Sequence, residues 1–407
     1  MSQPRTIDIA RSSRGASSSA KLRWLRIRTL YRVSAQAANA TGWIVRTRDV
    51  VSFASSVLWR AKDVTRMPYF IVQVGKVRRG SSKDRKPLAT SPTRAHIIVN
   101  PASGSVRGAF RIHELKELAS WLSEHGMPTE IRLTKRPGHA TELAREAVRA
   151  GVDMVVAAGG DGTVNDVIQA LAGHSTALGV LPVGTVNVWA REMGIPLNLA
   201  QAGELLLHGV RRRVDLGRAG TRYFLMMAGV GFDAEVARRV EKSPLKRLGL
   251  KLLDYLATAG VMSVTEHAAR VTIRVDDTRI STSALLVIIG NTRLYGGAFT
   301  FTHNALADDG KLDLVVVGGG GLMYRLGVLG RALLRRPSLG PRVRYHRFRT
   351  LRLESRRPLP VQVDGEVIGT LPMTFTAVPH ALTVIVPESA PEQLFRSEPL
   401  PAWHPNR

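Results

Sequence analysis

The stretch Asp153-Met-Val-Val-Ala-Ala-Gly-Gly-Asp-Gly-Thr-Val-Asn-Asp166 decides how the rest of the chain is read. Residues 154–158 are a short apolar run centred on Val155 and Val156, which predicts a buried strand. Gly159, Gly160 and Gly162 then force a tight turn. From Thr163 onward, Val164, Val167, Ile168 and Leu171 have helical spacing. Glycines let the backbone approach a bound group closely, and a helix start offers unpaired N–H groups and a partial positive charge. That combination cradles phosphate. Asp161 is the unusual member. A carboxylate beside phosphates is repulsive unless it holds a metal, a sugar hydroxyl or a reacting group. An ordinary β–α turn with an aspartate helix cap would leave a similar trace.

On either side of this stretch, strands and helices alternate. Residues 95–99 read as a strand, followed by the turn Asn100-Pro-Ala-Ser-Gly104. Residues 110–125 form an amphipathic helix with Ile112, Leu115, Leu118 and Leu122 on one face. A second strand spans 129–133 and a second helix 139–150. A fourth strand, 178–181, ends in Pro182-Val-Gly-Thr-Val-Asn187 and a helix to Met193. This alternation implies a parallel sheet covered on both faces, with ligands beyond the strand C-termini. Those ends carry Asn100, Ser103 and Gly104, then Thr134, then Gly159 to Thr163, then Gly184, Thr185 and Asn187. Four polar or glycine-rich turns converge on one edge.

After about residue 213 the texture changes. Residues 222–228, 271–275, 284–289, 312–317, 343–353 and 361–363 read as strands, most of them separated by Gly, Asp or Asn turns. Helical patterns interrupt at 234–240, 245–261 and 322–334. This predicts a mainly antiparallel second domain. The helices at 245–261 and 322–334 have long apolar faces with Arg or Lys opposite. They could line a pocket for an apolar ligand or simply pack.

The chain of 407 residues is long enough for two domains. It has no cysteine, which excludes disulfides, Cys-ligated zinc and thiol catalysis and suits a cytoplasmic setting. Its formal charge is +26, unevenly spread: residues 1–93 carry 19 Lys/Arg against 4 Asp/Glu. A basic arm implies an anionic partner, a membrane surface or nucleic acid. Residues 1–20 read as disordered and show no signal peptide. Residues 21–31 alternate Trp24, Leu25, Ile27 and Leu30 with arginines, as a basic amphipathic helix on a membrane would, or as a packed or solvated arm would. Residues 78–91 are a polar linker. No apolar run is long enough to span a bilayer, so any membrane contact is expected to be peripheral.

Asn100-Pro-Ala-Ser-Gly, Gly159-Gly-Asp-Gly-Thr-Val-Asn, Pro182-Val-Gly-Thr-Val-Asn, Gly229-Val-Gly-Phe-Asp-Ala-Glu, Asp308-Asp-Gly-Lys-Leu-Asp and Val363-Asp-Gly-Glu occur in this order. As an ordered set they resemble the diacylglycerol kinase catalytic-domain family, which includes sphingosine and ceramide kinases and bacterial soluble lipid kinases. The resemblance covers residues 94–387. It implies an N-terminal α/β parallel-sheet nucleotide-binding domain, 94–213, joined by 372–387. A C-terminal, mainly antiparallel β domain with helices, 214–371, would bind lipid. A basic N-terminal extension and linker, 1–93, precedes them and a tail, 388–407, follows. It also implies transfer of a phosphoryl group from ATP, with Mg²⁺, to a lipid hydroxyl at an anionic membrane surface.

By that resemblance, the four turns contact nucleotide and Asp161 anchors it or its magnesium. Asp364 matches the family's proposed general base, with Glu366 as its support. Asp308, Asp309 and Asp313 could hold a metal or a water network, although Asp-Asp-Gly is also an ordinary β-turn. Val188 departs from the family pattern, because many bacterial members have Asp there. That puts a metal at the Asp308 cluster in doubt and leans toward the sphingosine-kinase-like branch. His139 stands where an acidic residue is common. Other readings stay open: a kinase for a non-lipid hydroxyl such as that of NAD, a catalytically lapsed lipid-binding regulatory protein, or an arm that binds nucleic acid, the last disfavoured. A homodimer is compatible with the sequence, and the particular lipid is not legible in it.

Overall fold

The structure is a computed structural model. It describes residues 93–103, 108–231, 268–275, 278–336 and 338–400. The readings made for the basic extension, its amphipathic stretch and linker, Gly104, and the helical patterns at 234–240 and 245–261 lie outside the described residues.

The first half alternates as its apolar spacing requires. β1 (Ala95–Val99), α1 (Gly108–Glu124), β2 (Thr129–Leu133), α2 (His139–Arg149), β3 (Met154–Gly159), α3 (Asp161–Leu171), β4 (Ala177–Pro182), α4 (Val188–Met193) and α5 (Leu199–His208) follow one another. The strands pair in parallel in the order β2-β1-β3-β4. All six residues of β3 and of β4 are buried, as strands covered on both faces must be. The face of α2 formed by Ala140, Leu143, Ala144 and Ala147 packs on the sheet.

The second half is antiparallel. β5 (Val210–Ala219), β6 (Arg222–Phe224), β7 (Met227–Gly231), β8 (Ala269–Val275), β9 (Thr278–Gly290), β10 (Leu294–Tyr295), β11 (Phe299–Thr300) and β12 (Leu312–Gly318) lead to α6 (Leu322–Leu333). β13 (Val343–Phe348), β14 (Thr350–Ser355), β15 (Pro360–Val363), β16 (Glu366–Thr370) and β17 (Met373–Val386) complete it. Two expected strands are each divided. Residues 222–228 break at Leu225–Met226, and residues 343–353 break at Arg349, where β13 pairs with β12 and β14 turns to β8 and β17. Both breaks are invisible in the apolar pattern, because Leu225 and Met226 are buried like strand residues.

β17 joins the halves into one sheet, with 15 strands among the described residues. Its first residues pair with β14, Val384 pairs in parallel with Leu178 of β4, and β5 runs antiparallel along most of its length. Its ladder with β5 is interrupted between Val378 and Leu382, where His380 adopts a left-handed φ of 49°. Asp215 on β5 holds this irregularity. It is fully buried, one oxygen accepts from the His380 N–H at 2.7 Å and the other from the Gly310 N–H at 2.5 Å. Burial pushes its carboxyl up, and the two N–H donors oppose that shift. Asp215→Ala would leave the buried Gly310 N–H and the part-buried His380 N–H without this acceptor, so it should cost about 2 kcal/mol, with Asp215→Asn milder because one acceptor survives. Chemical denaturation of the three proteins measures this; an alanine variant within about 0.5 kcal/mol of wild type would remove the clasp role.

Candidate active site

The C-terminal ends of β1 to β4 bring the sequence-predicted turns together. The Asn100 N–H donates to Ala158 O at 3.2 Å, and the Thr134 N–H to Val99 O at 2.9 Å. The Asn100 amide reaches the Thr163 hydroxyl at 3.5 Å. The Gly184 N–H donates to Gly159 O at 3.1 Å. A Cβ on Gly184 would overlap Gly160 Cα, so the two glycine turns touch backbone to backbone. Asn187 (φ 53°) locks the second turn. Its side-chain oxygen accepts from the Gly184 N–H at 3.1 Å and its amide donates to Pro182 O and Gly184 O. Ser103 is half-buried at the β1 turn and Thr185 is exposed.

α3 starts at this point. Gly160, in its cap position, is extended and brings no side-chain acceptor to the first N–H groups. Thr163 is buried beneath the turn, while Asp161 and Gly162 lie at the surface end of the helix. Asp161 accepts from the Trp189 N–H at 3.4 Å, tying the start of α3 to the start of α4. Farther along α4, buried Glu192 accepts from the N–H groups of Arg293 and Leu294, fixing that helix to β10. Burial raises its carboxyl above the usual range.

One turn into α3, its side face meets the second half. The Asn165 amide donates to Asp364 at 2.9 Å. Gln169, four residues on, exchanges hydrogen bonds with the Tyr223 backbone in both directions, at 2.9 and 3.0 Å. The Arg222 guanidinium bridges Asp166 at 3.1 Å and Glu366 at 2.6 Å. Asn165 and Asp166 enter the sequence reading only as the end of the glycine stretch, and Gln169 and Arg222 have no role in it. The signal available was an Asn and a Gln one helical turn apart, beside the apolar positions Val164, Val167 and Ile168.

Asp364 and Glu366 flank the β15–β16 turn but differ in surroundings. Asp364 sits at φ 46° and its carboxylate collects four donors. Oδ1 accepts from the N–H groups of Met226 and Met227, and Oδ2 from Leu225 N–H and Asn165. Burial raises its carboxyl and these donors oppose the rise. Both oxygens are thus fully engaged. The expectation that Asp364 accepts the substrate proton, with Glu366 as its support, therefore places the base where four protein donors already sit. Glu366 is 53% exposed and is held by Arg222.

The third expected group does not assemble. Asp308 accepts from the Arg396 N–H at 2.6 Å and from the Ser397 N–H and hydroxyl. Asp309 pairs with Arg347. Asp313, completely buried, accepts from the Tyr345 hydroxyl at 2.6 Å and lies 3.6 Å from Arg347. Among the described residues no three acidic or histidine side chains converge on a metal-sized site. For the metal expected at Asp308, Asp309 and Asp313, the structure shows Asp308 and Asp309 engaged by protein donors or a cation, while one oxygen of buried Asp313 has no hydrogen-bond partner. Asp308 and Asp309 lie in the turn before β12.

A family model described as the diacylglycerol kinase catalytic domain matches residues 94–219, and one described as the YegS C-terminal NAD kinase beta sandwich-like domain matches residues 226–386. A diacylglycerol kinase of Bacillus subtilis is 31% identical over 304 residues, 74% of this chain and 99% of its own length. The chain belongs to the diacylglycerol kinase family. A "Probable lipid kinase YegS-like" protein of Pseudomonas syringae is 36% identical over 66% of this chain and 87% of its own. A crystal structure of a diacylglycerol kinase from Bacillus anthracis shares the fold, with a TM-score of 0.58 over 74% of this chain and 100% of that one, at 24% identity. The protein is a kinase, and its two-part architecture is the one that the ordered motifs implied.

Asp313 makes stability depend on pH. Burial raises its carboxyl to about 6, against the Tyr345 hydroxyl and the charges of Arg293 and Lys311. The folded state therefore keeps this proton after the unfolded chain has released it, so stability is lost as pH rises from about 4 to about 6. Asp313→Asn should remove that loss. The change in unfolding free energy between pH 4.5 and 7.5 should differ from that of wild type by about 2 kcal/mol. Matching pH profiles would return Asp313 to an ordinary carboxyl.

Proposed function

We propose that the protein transfers the γ-phosphoryl group of ATP, taken up as its magnesium complex, to a hydroxyl of a diacylglycerol-like or sphingoid lipid at a membrane surface. The observation that carries this reading is the double use of α3. Its uncapped start lies at the touching glycine turns, and its side face, one turn on, holds the hairpin that bears Glu366. A donor held by its phosphates at the first would put its terminal phosphate toward the second.

Phosphoryl transfer asks the protein for positioning and charge neutralisation more than covalent chemistry. Backbone N–H groups at Gly160 and Gly162 and in the turn just after Gly184 receive the phosphates, with the Thr163 hydroxyl beneath them and Asn100, Ser103 and Thr134 at the rim. Asp161 anchors the nucleotide or its magnesium. Glu366 accepts the proton of the lipid hydroxyl as its oxygen attacks the γ-phosphorus, the bond to the bridging oxygen breaks and ADP leaves. Arg222 orients Glu366, and Asp364 holds the hairpin in place. The basic residues 1–93 favour an anionic membrane over nucleic acid as partner, through their apolar and aromatic interleaving. A non-lipid hydroxyl such as that of NAD is the second reading, because the matched C-terminal family model carries NAD kinase in its description.

The two carboxylates of the hairpin should separate in an assay of ATP turnover with diacylglycerol, sphingosine, ceramide, monoacylglycerol or NAD as acceptor. Glu366→Gln should lower kcat by roughly 10² to 10⁴-fold with ATP affinity preserved. Asp364→Asn should instead lower stability, since an amide group would face backbone donors. If Glu366→Gln lost under tenfold while folded Asp364→Asn lost a thousandfold, the base would be Asp364 after all. Asp161→Ala should abolish turnover and weaken ATP binding in a folded protein; wild-type turnover would sink the nucleotide-site assignment.

A further inference from the structure

α6 carries two apolar stripes. The inner one is ordinary packing: Val328 and Ala332 are buried, and Tyr324 and Leu329 lie against the core. The outer one faces water. Leu322, Met323, Leu326 and Leu333, with Leu334 just past the helix, are 40%, 76%, 45%, 53% and 70% exposed. At about 100° per residue these five positions fall on one arc of roughly 140°, which also contains Gly327 and Gly330 and no charge. Among the described residues, every other large exposed apolar side chain is either Leu133 or Leu197, so the exposed apolar surface is concentrated here.

Along the sequence, the charge on either side of this stripe has one sign. From residue 314 to residue 353 the sequence contains nine arginines and no aspartate or glutamate. Arg331 is exposed on the flank of the arc, and Arg335 and Arg336 are exposed at its end. An apolar stripe with arginines on its flank and at its end is the pattern of a helix that lies in the headgroup region of an anionic bilayer. With 12 residues α6 is too short to cross one. Its place in the fold agrees. α6 packs on β11, and a Cβ on Gly297, in the turn between β10 and β11, would lie 2.8 Å from Val186 of the phosphate-facing turn. The helix therefore sits one hairpin away from the candidate active site.

We propose that α6 seats the protein on an anionic lipid bilayer. Met323, Leu326, Leu333 and Leu334 enter the boundary between headgroups and acyl chains, and Arg331, Arg335 and Arg336 pair with lipid phosphates. This rests on the reading that the acceptor is a lipid within a bilayer, and it assigns the surface that brings the enzyme to it.

The test uses the full chain, so that residues 1–93 are the same in every sample. Partition onto phosphatidylcholine vesicles, with and without about 30 mol % phosphatidylglycerol, is read by co-sedimentation. The Met323→Glu/Leu326→Glu variant should bind the anionic vesicles at least about tenfold more weakly than wild type. The Arg331→Gln/Arg335→Gln variant should lose part of the preference for phosphatidylglycerol and part of its salt dependence. Both should keep the wild-type Tm, because the substituted side chains are exposed. Both should also keep the wild-type rate on dioctanoylglycerol supplied as a monomer without vesicles. Wild-type partition by the Met323/Leu326 variant would overturn the proposal. So would a wild-type dimer that this variant turns into a monomer with vesicle binding unchanged, since a second copy would then be what covers the stripe. Failure of wild type to phosphorylate dioctanoylglycerol would count against a diacylglycerol acceptor alone and would leave the vesicle result to stand or fall by itself.

Discussion

One carboxylate carries the join between the two halves of the candidate site. Asp364 receives three successive backbone N–H groups, two from the break between β6 and β7 and one from the first residue of β7, and a fourth donor from α3. The two groups in the break have left one ladder and not yet entered the next, so without an acceptor they would be unpaired in a buried place. A carboxylate is the side chain that can satisfy all of them at once. The break in the strand and the aspartate opposite it therefore depend on each other. Glu366, Arg222 and Asp166 take their positions from that anchor.

The parallel half of the fold was legible because its signals are local. The run 154–158, three glycines and the spacing from Val164 to Leu171 each occupy a few neighbouring residues, and the strand ends then had to share an edge. The ordered motifs extended this to the second half. What the sequence did not disclose depends on distant partners. Asn165 and Gln169 look like indifferent helix residues until Tyr223 and Asp364 lie beside them. Residues 343–353 read as one strand because the change of partner at Arg349 leaves no mark on the alternation. Asp308, Asp309 and Asp313 look like ligands in one dimension. Only the return of residues 396–397 and the approach of Arg347 and Tyr345 show what they hold.

The site has unequal firmness built into it. The glycine turns are fixed by backbone contact and by the Asn187 amide, and α4 is pinned to β10 by Glu192. The hairpin tip at Gly365 and Glu366 is exposed and is tied by the Gly365 N–H to the Gln362 side-chain oxygen at 2.7 Å, by pairing of Glu366 with Val363 and by the Arg222 bridge. Phosphates would thus meet a preformed cradle, while the Glu366 side chain, held at an exposed turn by an ion pair, is the part freer to adjust.

β17 has a consequence for how the molecule is made. The open edge of β4 and the whole length of β5 wait for a strand that begins at Met373, nearly two hundred residues after β4 ends. A ribosome emits the chain from its N-terminus, so the parallel sheet emerges with an unsatisfied edge and stays so until almost the entire polypeptide is out. Such distant closure is slow, because loop entropy is lost before the pairing compensates for it. The nascent protein is therefore vulnerable to strand addition by a neighbour over that interval, and holding the β4 edge apart from other chains becomes a task for chaperones.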